Sequence, residues 1–385
     1  MRTPSLPARL DERRARALLA RSAEPYDEKI QGLVADLGVV DLVGHALRDG
    51  RTPGGVGLER LAARLPRATG VDEERLCRTL GVRLVVPGDE EWPVEVDGLR
   101  APPWCLWVRG PLRVDEVGAR SVAVVGARAS TAYGEEVAVR LSFELAERGF
   151  TVVSGAAYGI DGAAHRAALS ADGRTVAALA GGVDVPYPRA NSDLIAEIGA
   201  RGALVSETPP GGAPARMRFL ARNRIIAALA AGTVVVEAGL RSGARSTVRE
   251  ARDLGRHVMA VPGPVTSVMS AGCHEEIRAG ATLVTDAADV AELVGRIGED
   301  LAPSRRGQVL PEDGLSGENR RVWQWLRPRT SLGVDELVVR SGLGLGEVLV
   351  ALGELEERGL AEQLLDGWRR AGAAGRGDHG GRGRR

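Results

Sequence analysis

Short apolar runs alternate with amphipathic segments through the middle of the chain. The runs are too short for helices, and they lack the apolar–polar alternation of a half-buried strand. The segments between them repeat apolar residues at helical spacing. The runs are residues 121–125, 151–154, 175–180, 203–207, 233–238 and 257–261, and the helical segments span about 134–148, 160–171, 191–199, 219–231, 244–255 and 273–279. Continuously apolar strands that alternate with helices predict an α/β fold, with a doubly wound parallel sheet covered on both faces.

The pattern changes on both sides of this region. Short amphipathic helices are indicated near the N-terminus, and residues 92–111 are expected to be extended because they contain several prolines. Near the C-terminus, three helical patterns precede a short strand and wing, which resembles a winged helix. The predicted organisation is a small N-terminal helical domain, similar to SAM or helix–hairpin–helix domains, at 1–90, the α/β domain at 91–298, a polar linker at 299–317, a winged-helix-like domain at 318–370 and a disordered basic tail at 371–385.

Charge composition narrows the class of protein. The chain has 51 Lys plus Arg and 51 Asp plus Glu, so its formal net charge is zero. This argues against a uniformly basic nucleic-acid binder but allows a local patch, because charges act mainly within a Debye length of about 8–10 Å. Lys29 is the one lysine in the sequence, so a phosphate site would be built from guanidinium groups.

Targeting and metal signals are absent from the sequence. The N-terminus carries charges where a signal peptide needs an apolar stretch, and no apolar run is long enough to cross a bilayer, so we expect a cytoplasmic protein with no membrane contact. Cys77, Cys105 and Cys273 form no CxxC pair, and no two of the five histidines have a metal-ligand spacing. We therefore predict no metal site and no cofactor.

Glycines, hydroxyl residues and arginines follow several of the predicted strands. Ligands of an open parallel sheet bind outside the carboxyl ends of its strands, and glycine-rich helix starts favour anions. Between residues 201 and 257, ten arginines stand against four acids, and Phe219 lies among them. Guanidiniums bind phosphates and aromatic rings stack on bases, so this pattern predicts a single-stranded nucleic-acid site. The candidate residues are Gly126, Arg128, Ser154, Gly155, Arg216, Phe219, Arg222, Asn223, Arg224, Ser242 and Gly243.

A catalytic function is the main alternative. Asp161 occupies an expected N-cap position, and His165 follows one helical turn later. The two could be a catalytic pair, but a capped helix with a hydrogen-bonded histidine is favoured, because no nucleophile is placed beside them. A hydrolase acting on a nucleoside monophosphate would use Asp161 and Glu237 at this crevice. A scaffold protein with a vestigial crevice is a third interpretation.

The sequence resembles the DNA-processing protein A family (DprA, also called Smf). The resemblance is strong over about residues 90–298 and looser in the flanking domains. It is carried by the strings VAVVGARASTAYG, VVSGAAYGIDGAAH, LAGGVDVPYPRAN, SETPPG, FLARNRIIAALA, VVVEAGLRSGA and GRHVMAVPG. The resemblance implies an extended Rossmann-like fold that binds single-stranded DNA as a homodimer, protects incoming strands and helps load the RecA recombinase during natural transformation. It implies no enzymatic reaction and therefore no catalytic residue.

The resemblance also implies roles for individual residues. Arg128 matches an arginine that meets phosphate, Arg216 falls where some members have a DNA-contacting lysine, and Phe219 matches a base-stacking aromatic residue. The string 222–224 matches an Arg-Asn-Arg sequence beside the pocket. The chain departs from the family pattern at Leu220, where proline is common, and at positions 244–247 and 273–274.

The last predicted helix of the winged-helix-like domain is acidic. Glu347, Glu354, Glu356 and Glu357 stand against Arg358, and these carboxylates would repel phosphates. Winged domains often contact duplex DNA with this helix, so we predict that this one serves protein contact or packing instead. The arginines at 376, 382, 384 and 385 could add a weak, salt-sensitive attraction to DNA.

Overall fold

The computed structural model describes residues 10–303 and 312–371. The chain divides into two compact units, residues 1–303 and 304–385. Part of the predicted linker and the basic tail from residue 372 onward lie outside the described residues.

A nine-stranded mixed sheet forms the centre of the first unit. Its strand order is β1-β2-β6-β5-β4-β3-β7-β8-β9. The strands are β1 (Val82–Val85), β2 (Leu106–Arg109), β3 (Ser121–Val125), β4 (Thr151–Ser154), β5 (Thr175–Ala178), β6 (Ala203–Ser206), β7 (Gly232–Val235), β8 (His257–Ala260) and β9 (Thr282–Leu283). The seven strands from β3 to β9 are mutually parallel, which confirms the doubly wound parallel core.

Two antiparallel strands at one edge were not predicted. β2 pairs antiparallel with β6, and β1 pairs antiparallel with β2. The sheet therefore begins at Val82, ahead of residue 91, where the sequence analysis starts the α/β domain. A four-residue edge strand carries too short a pattern to be recognised alone, and antiparallel edge strands are common on otherwise parallel sheets. The other predicted domain boundaries stay predictions.

The strand order reverses beside β3. The chain pairs β4 with one side of β3 and, after crossing back, pairs β7 with its other side. The loops that follow β3 and β7 therefore diverge to opposite faces and leave a crevice between them, as in other doubly wound sheets. This reversal decides where a ligand site can lie.

Helices cover both faces of the sheet. Along β3, Val122 and Val124 enter one core with α6, α7 and α12, whereas Ala123 and Val125 enter the other with α9 and α10. The helices of this region are α6 (Ala132–Glu147), α7 (Ile160–Ser170), α8 (Ser192–Arg201), α9 (Arg216–Ala228), α10 (Ala244–Asp253), α11 (Ala271–Arg278) and α12 (Ala287–Val294). α6 to α11 match the six predicted helices to within a few residues, and α12 was not predicted.

Five N-terminal helices pack against the edge of the sheet. They are α1 (Glu12–Ser22), α2 (Glu28–Leu37), α3 (Val39–Arg48), α4 (Glu59–Thr69) and α5 (Glu73–Leu80). Leu19, Leu42 and Leu65 share one buried cluster with Trp107 of β2, and the Trp107 indole donates a hydrogen bond to Glu73 at 2.8 Å. The helical region and the sheet therefore share a core.

No single helix among the described residues has both the length and the apolar composition that a membrane span requires. α2 and α3 meet them only when taken together, across a bend of 107°.

The second unit contains three helices followed by a two-stranded hairpin. These are α13 (Gly317–Trp323), α14 (Val334–Ser341), α15 (Leu345–Glu357), β10 (Ala361–Leu364) and β11 (Gly367–Arg370). Val322, Leu337, Leu352 and Trp368 belong to its own buried core. The order of elements and the hairpin confirm the winged-helix prediction.

Candidate nucleic-acid interface

A cleft of about 780 Å³ opens at the carboxyl ends of β3 and β7. Its walls come from the loop after β3, from α9 and from the loop between β7 and α10. Eight of the eleven predicted site residues line it, and they are Gly126, Arg128, Arg216, Phe219, Arg222, Asn223, Ser242 and Gly243. The structure therefore brings most of the predicted residues together in one cleft, because the loops that carry them converge at the reversal of strand order.

The loop after β3 is held close to the sheet. The amide of Ala127 donates to the carbonyl of Glu237 at 2.7 Å. A Cβ atom on Gly126 would lie 2.9 Å from that carbonyl oxygen and 2.5 Å from the Ile160 side chain. Glycine is needed here because two backbones approach closely, and the loop then directs the exposed Arg128 side chain into the cleft.

Phe219 lies between a cation and a second aromatic ring. The guanidinium carbon of Arg128 is 4.9 Å from the centroid of the Phe219 ring. On the same ring, Tyr187 makes a tilted contact with centroids 5.5 Å apart, and Tyr187 is 46% exposed. Tyr187 was not among the residues predicted from the sequence to form the site. The cleft thus places a phosphate-binding group directly beside an aromatic surface suited to a base.

The start of α9 is electrostatically unfavourable in the free protein. Its N-cap residue Ala215 forms no side-chain capping bond, and its first turn has no acidic residue. Arg216 and Arg218 occupy that first turn instead, where the helix dipole disfavours cations. Arg218 is paired with Glu24, with Nε to Oε2 at 3.0 Å, whereas Arg216 has no carboxylate partner in residues 10–303 or 312–371.

Arg222 forms the floor of the cleft rather than an exposed phosphate contact. The guanidinium is buried and donates to the carbonyls of Gly155 at 2.6 Å and Ala178 at 2.8 Å. Burial lowers the pKa of Arg222, while the neighbouring charge of Asp161 opposes that shift. Arg222 therefore joins α9 to the ends of β4 and β5.

Ser154 and Gly155 support the floor from below. The Ser154 hydroxyl donates to the Val124 carbonyl at 2.7 Å and is fully buried. A Cβ atom on Gly155 would collide with the Arg222 guanidinium. The structure does not bring these two predicted residues to the cleft surface, because β4 ends beneath Arg222.

Arg224 points away from the cleft. It is 1% exposed, and its Nη2 lies 2.5 Å from Oε1 of Glu207. It also donates to the carbonyl of Ala101, and its guanidinium carbon is 4.9 Å from the Tyr26 ring centroid. Although the Arg-Asn-Arg string is contiguous in sequence, helical rotation separates its two arginines, and Arg224 joins α9 to the N-terminal region.

The third wall is the loop that enters α10. Asn223 donates through Nδ2 to the Ser246 hydroxyl at 2.6 Å and to the Gly243 carbonyl at 3.3 Å. These bonds fix the loop carrying Ser242 and Gly243 against α9. Arg241 extends from the same loop, lines the cleft, and has no carboxylate partner within the described parts of the chain.

Apolar side chains complete the cleft, and sequence reasoning missed them. Leu220 is 47% exposed, Leu240 56% and Val268 77%, and all three line the cavity. Large apolar groups are unfavourable in water. A cleft with arginines at one place and uncovered apolar groups at another suits a ligand with an anionic backbone and planar apolar bases. A signal was available at Leu220 in the first turns of α9 and at Leu240 in the loop before α10, since each is a large apolar residue in an arginine-rich stretch.

The two carboxylates considered for a hydrolase are already engaged. Glu237 is buried and accepts hydrogen bonds from the Thr131 amide at 2.9 Å and the Thr131 hydroxyl at 2.7 Å. A Cβ atom on Gly134 would collide with this carboxylate, so Glu237 fills the N-terminus of α6. A carboxylate of the protein itself therefore occupies this helix start, where an anion is favoured.

Asp161 and His165 are also structural. Asp161 is the second residue of α7, whose N-cap is Gly159 without a side-chain bond, so the predicted capping role is wrong. Asp161 accepts instead from the Gly155 amide at 3.2 Å. Burial raises the pKa of Asp161, and the Arg222 charge opposes that rise.

His165 is fully buried between two partners. Its Nε2 accepts from the Ala156 amide at 3.3 Å, and its Nδ1 lies 2.7 Å from the Thr175 hydroxyl. Burial lowers its pKa to about 3. The neutral, hydrogen-bonded histidine agrees with the structural interpretation made from the sequence. Within the described residues, no group of three or more His, Cys, Asp or Glu side chains could hold a metal ion.

Comparison with known proteins identifies the family. The model for DNA recombination-mediator protein A matches residues 83–295, and that for the DprA winged helix domain matches residues 308–367. The putative DNA processing protein DprA of Mycobacterium tuberculosis is 50% identical over 377 residues, which cover 94% of this chain and 95% of that protein. Protein Smf of Escherichia coli is 36% identical and covers 74% of this chain, with 76% of its own length matched.

Solved structures agree with the sequence comparisons. The crystal structure of DprA from Streptococcus pneumoniae superimposes with a TM-score of 0.62 and 31% identity, covering 75% of this chain and 99% of that one. DprA from Helicobacter pylori, whose structure is described in terms of its single-stranded DNA binding mode, gives a TM-score of 0.50 and 29% identity, covering 54% and 93% of the two chains. Together with the family models, these similarities show that the chain belongs to the DNA processing protein A (DprA) family.

Proposed function

We propose that the protein binds single-stranded DNA in the cleft at the carboxyl ends of β3 and β7. One observation carries the proposal. Arg128, Arg216 and Arg241 line the cleft with no carboxylate partner among the described residues, next to the partly exposed Phe219 ring. Guanidiniums would hold the phosphates, and Phe219 would stack against a base. The single-stranded DNA binding mode described for the Helicobacter pylori relative supports the same ligand.

Preference for single strands follows from the apolar wall. In a duplex the base faces are stacked inside and cannot reach Phe219, Leu220 or Leu240. An unpaired strand can turn its bases toward these side chains while its phosphates meet the arginines. The cleft would therefore bind unpaired oligonucleotides more tightly than a duplex of the same length.

The biological role that we propose follows from the family. The protein would act as a homodimer in the cytoplasm, protect incoming or processed single strands and help load the RecA recombinase in transformation or recombination. Its winged unit would contact protein rather than DNA. Sedimentation of the full chain and a RecA loading assay on single strands would test the dimer and the partner separately.

Binding to oligonucleotides at several salt concentrations tests the DNA site. If about four to six phosphates are contacted, log K should fall with log salt at a slope of roughly −3 to −4. Arg128→Ala should weaken binding to all sequences and reduce the slope, because it removes a phosphate contact. Phe219→Ala should cost about 1–3 kcal/mol with little change in slope, since a ring carries no charge.

The matched control is Arg60→Ala, which removes an exposed cation from α4, outside the cleft. The proposal is wrong if Arg128→Ala and Phe219→Ala bind single strands as the unmodified protein does. It is also wrong if Arg60→Ala weakens binding equally.

We also propose that the protein is not an enzyme. The alternative, hydrolysis of a nucleoside monophosphate, would need a free carboxylate at the cleft, but Glu237 already accepts two bonds from Thr131 and Asp161 accepts the Gly155 amide. Incubation with nucleoside monophosphates should release no base. Release that disappears in Glu237→Gln would establish the alternative.

A further inference from the structure

We propose that α10 carries a second phosphate-binding surface, along which a DNA strand continues after it leaves the cleft. We call this surface the arginine track, and it comprises Arg241, Arg245, Arg249, Arg252 and Arg256. The inference rests on the proposed function, since the track would extend the same strand.

Helical spacing places the three arginines within α10 on one side of that helix. Arg245, Arg249 and Arg252 lie within α10, separated by four and three residues, so they share one face of the helix. Arg241 precedes the helix by three residues and Arg256 follows its end by three. At 1.5 Å per residue, α10 itself is about 15 Å long, which is enough to reach more than one phosphate of a strand.

The track keeps a positive charge in the folded protein. Arg245 and Arg252 share one carboxylate, Glu276 of α11, at 2.7 and 2.8 Å. Burial acts to raise the pKa of Glu276, but hydrogen bonds from Arg252 and Arg245 lower it overall, so this carboxylate is charged and is shared by two cations. Arg249 and Arg256 have no carboxylate partner in the described regions.

The two carboxylates of α10 itself, Glu250 and Asp253, neutralise little of the positive charge on the track. Glu250 faces a different side of the helix, where it accepts the Tyr26 hydroxyl at 2.8 Å. Asp253 follows Arg249 by one turn and borders the track. Five arginines therefore face Glu276 and Asp253, and the remaining positive charge favours a polyanion.

The track is continuous with the cleft. Arg241 lines the cavity, and Arg245 donates through Nη1 to the Leu240 carbonyl at 2.8 Å. The loop that forms the cleft wall therefore leads directly to the first turn of α10. A strand that passes over Leu240 on leaving the cleft would meet Arg245 next, and then Arg249.

Oligonucleotide length separates the track from the cleft. In the full chain, Arg249→Ala combined with Arg256→Ala should leave the affinity for an oligothymidylate of about five nucleotides unchanged within twofold. The affinity for one of about twenty nucleotides should fall about tenfold at low salt. The slope of log K against log salt for the longer oligomer should decrease by about 1.4, since each phosphate contact contributes about 0.7.

The control is Arg60→Ala combined with Arg67→Ala. Both residues are exposed on α4 and are seven positions apart, as Arg249 and Arg256 are, so the change in net charge is identical. The midpoint temperature of thermal unfolding should be the same for the track variant and the control variant. The control variant should bind both oligomers as the unmodified protein does.

The outcomes distinguish this inference from the proposed function. If the track variant binds the long oligomer normally, or loses affinity for both lengths equally, or matches the control, the track is excluded. If the short oligomer binds without any dependence on Arg128, the proposed function itself fails. An effect of Arg128→Ala on both lengths, with an effect of the track variant on the long one alone, supports both.

Discussion

Two sides of α9 use the same residue type for different purposes. On the cleft side, Arg216 is exposed, has no carboxylate partner among the described residues, and lines the cavity with Phe219. On the other side, Arg224 is buried against Glu207 and Tyr26, and Arg218 is paired with Glu24. A count of arginines therefore overstates the charge that a ligand meets. What matters is which guanidiniums remain unpaired after folding.

The last helix of the winged unit, α15, carries glutamates as its charged side chains, in contrast to the arginines of α9. In α15, Glu347 accepts from the Gly344 amide at 2.7 Å and Glu354 from Asn319 at 2.6 Å. Glu356 and Glu357 are exposed to solvent. A winged helix with carboxylates on this element is poorly suited to phosphate, so its predicted role in protein contact or packing stays our expectation.

The largest expected effect is on the buried side of α9. Glu207→Gln would leave the Arg224 charge buried without its counterion, and this should lower the free energy of unfolding by about 3 kcal/mol. Chemical denaturation measures this loss. Single-strand affinity at a temperature where the variant is folded should stay within twofold, because Arg224 does not line the cleft. A tenfold loss of single-strand affinity in Glu207→Gln would show that the buried side of α9 also takes part in DNA binding.

An intermediate effect is expected on the cleft side. Arg216→Ala should raise the Kd for single-stranded DNA about tenfold, or roughly 1.4 kcal/mol, because a charged contact to phosphate is lost. The salt slope should decrease by about 0.7. The midpoint of thermal unfolding should be unchanged or slightly higher, since a cation is removed from a helix N-terminus. A clear decrease in the unfolding midpoint would show that Arg216 stabilises the fold, which contradicts its role as a free phosphate-binding group.

The smallest effect is expected at the exposed ion pair. Glu24→Gln removes the partner of Arg218, whose side chain is partly exposed to solvent, as Glu24 is. Such pairs contribute about 0–1 kcal/mol, so denaturation should barely change. Glu24→Gln and Glu207→Gln thus make the same chemical change at an exposed and at a buried ion pair of α9. Equal destabilisation by Glu24→Gln and Glu207→Gln would show that burial does not separate the two arginines.

Particular residues show how far pattern reasoning reached. The strands β3 to β8 and the helices between them were predictable, because continuous apolar runs and helical periodicity are local properties of the chain. β1 and β2 were missed, since a four-residue edge strand is defined by its partner rather than by its own pattern. Arg128, Arg216 and Phe219 were identified correctly as cleft residues, because each follows a strand end. Val268 was not, because an apolar loop residue carries no signal for phosphate or base binding until folding places it on the cleft wall.

The sequence by itself determined the alternation of strands and helices, the positions of the loops at one edge of the sheet and the restriction of its cationic groups almost entirely to arginine. The tertiary structure alone decided which arginines are free. Arg222 is buried between α9 and the ends of β4 and β5, Arg224 is neutralised by Glu207, and Arg216 and Arg128 keep no carboxylate partner within the described residues. The physical reason is that pairing and desolvation of a charge depend on groups brought close by folding, over separations that a linear pattern does not record.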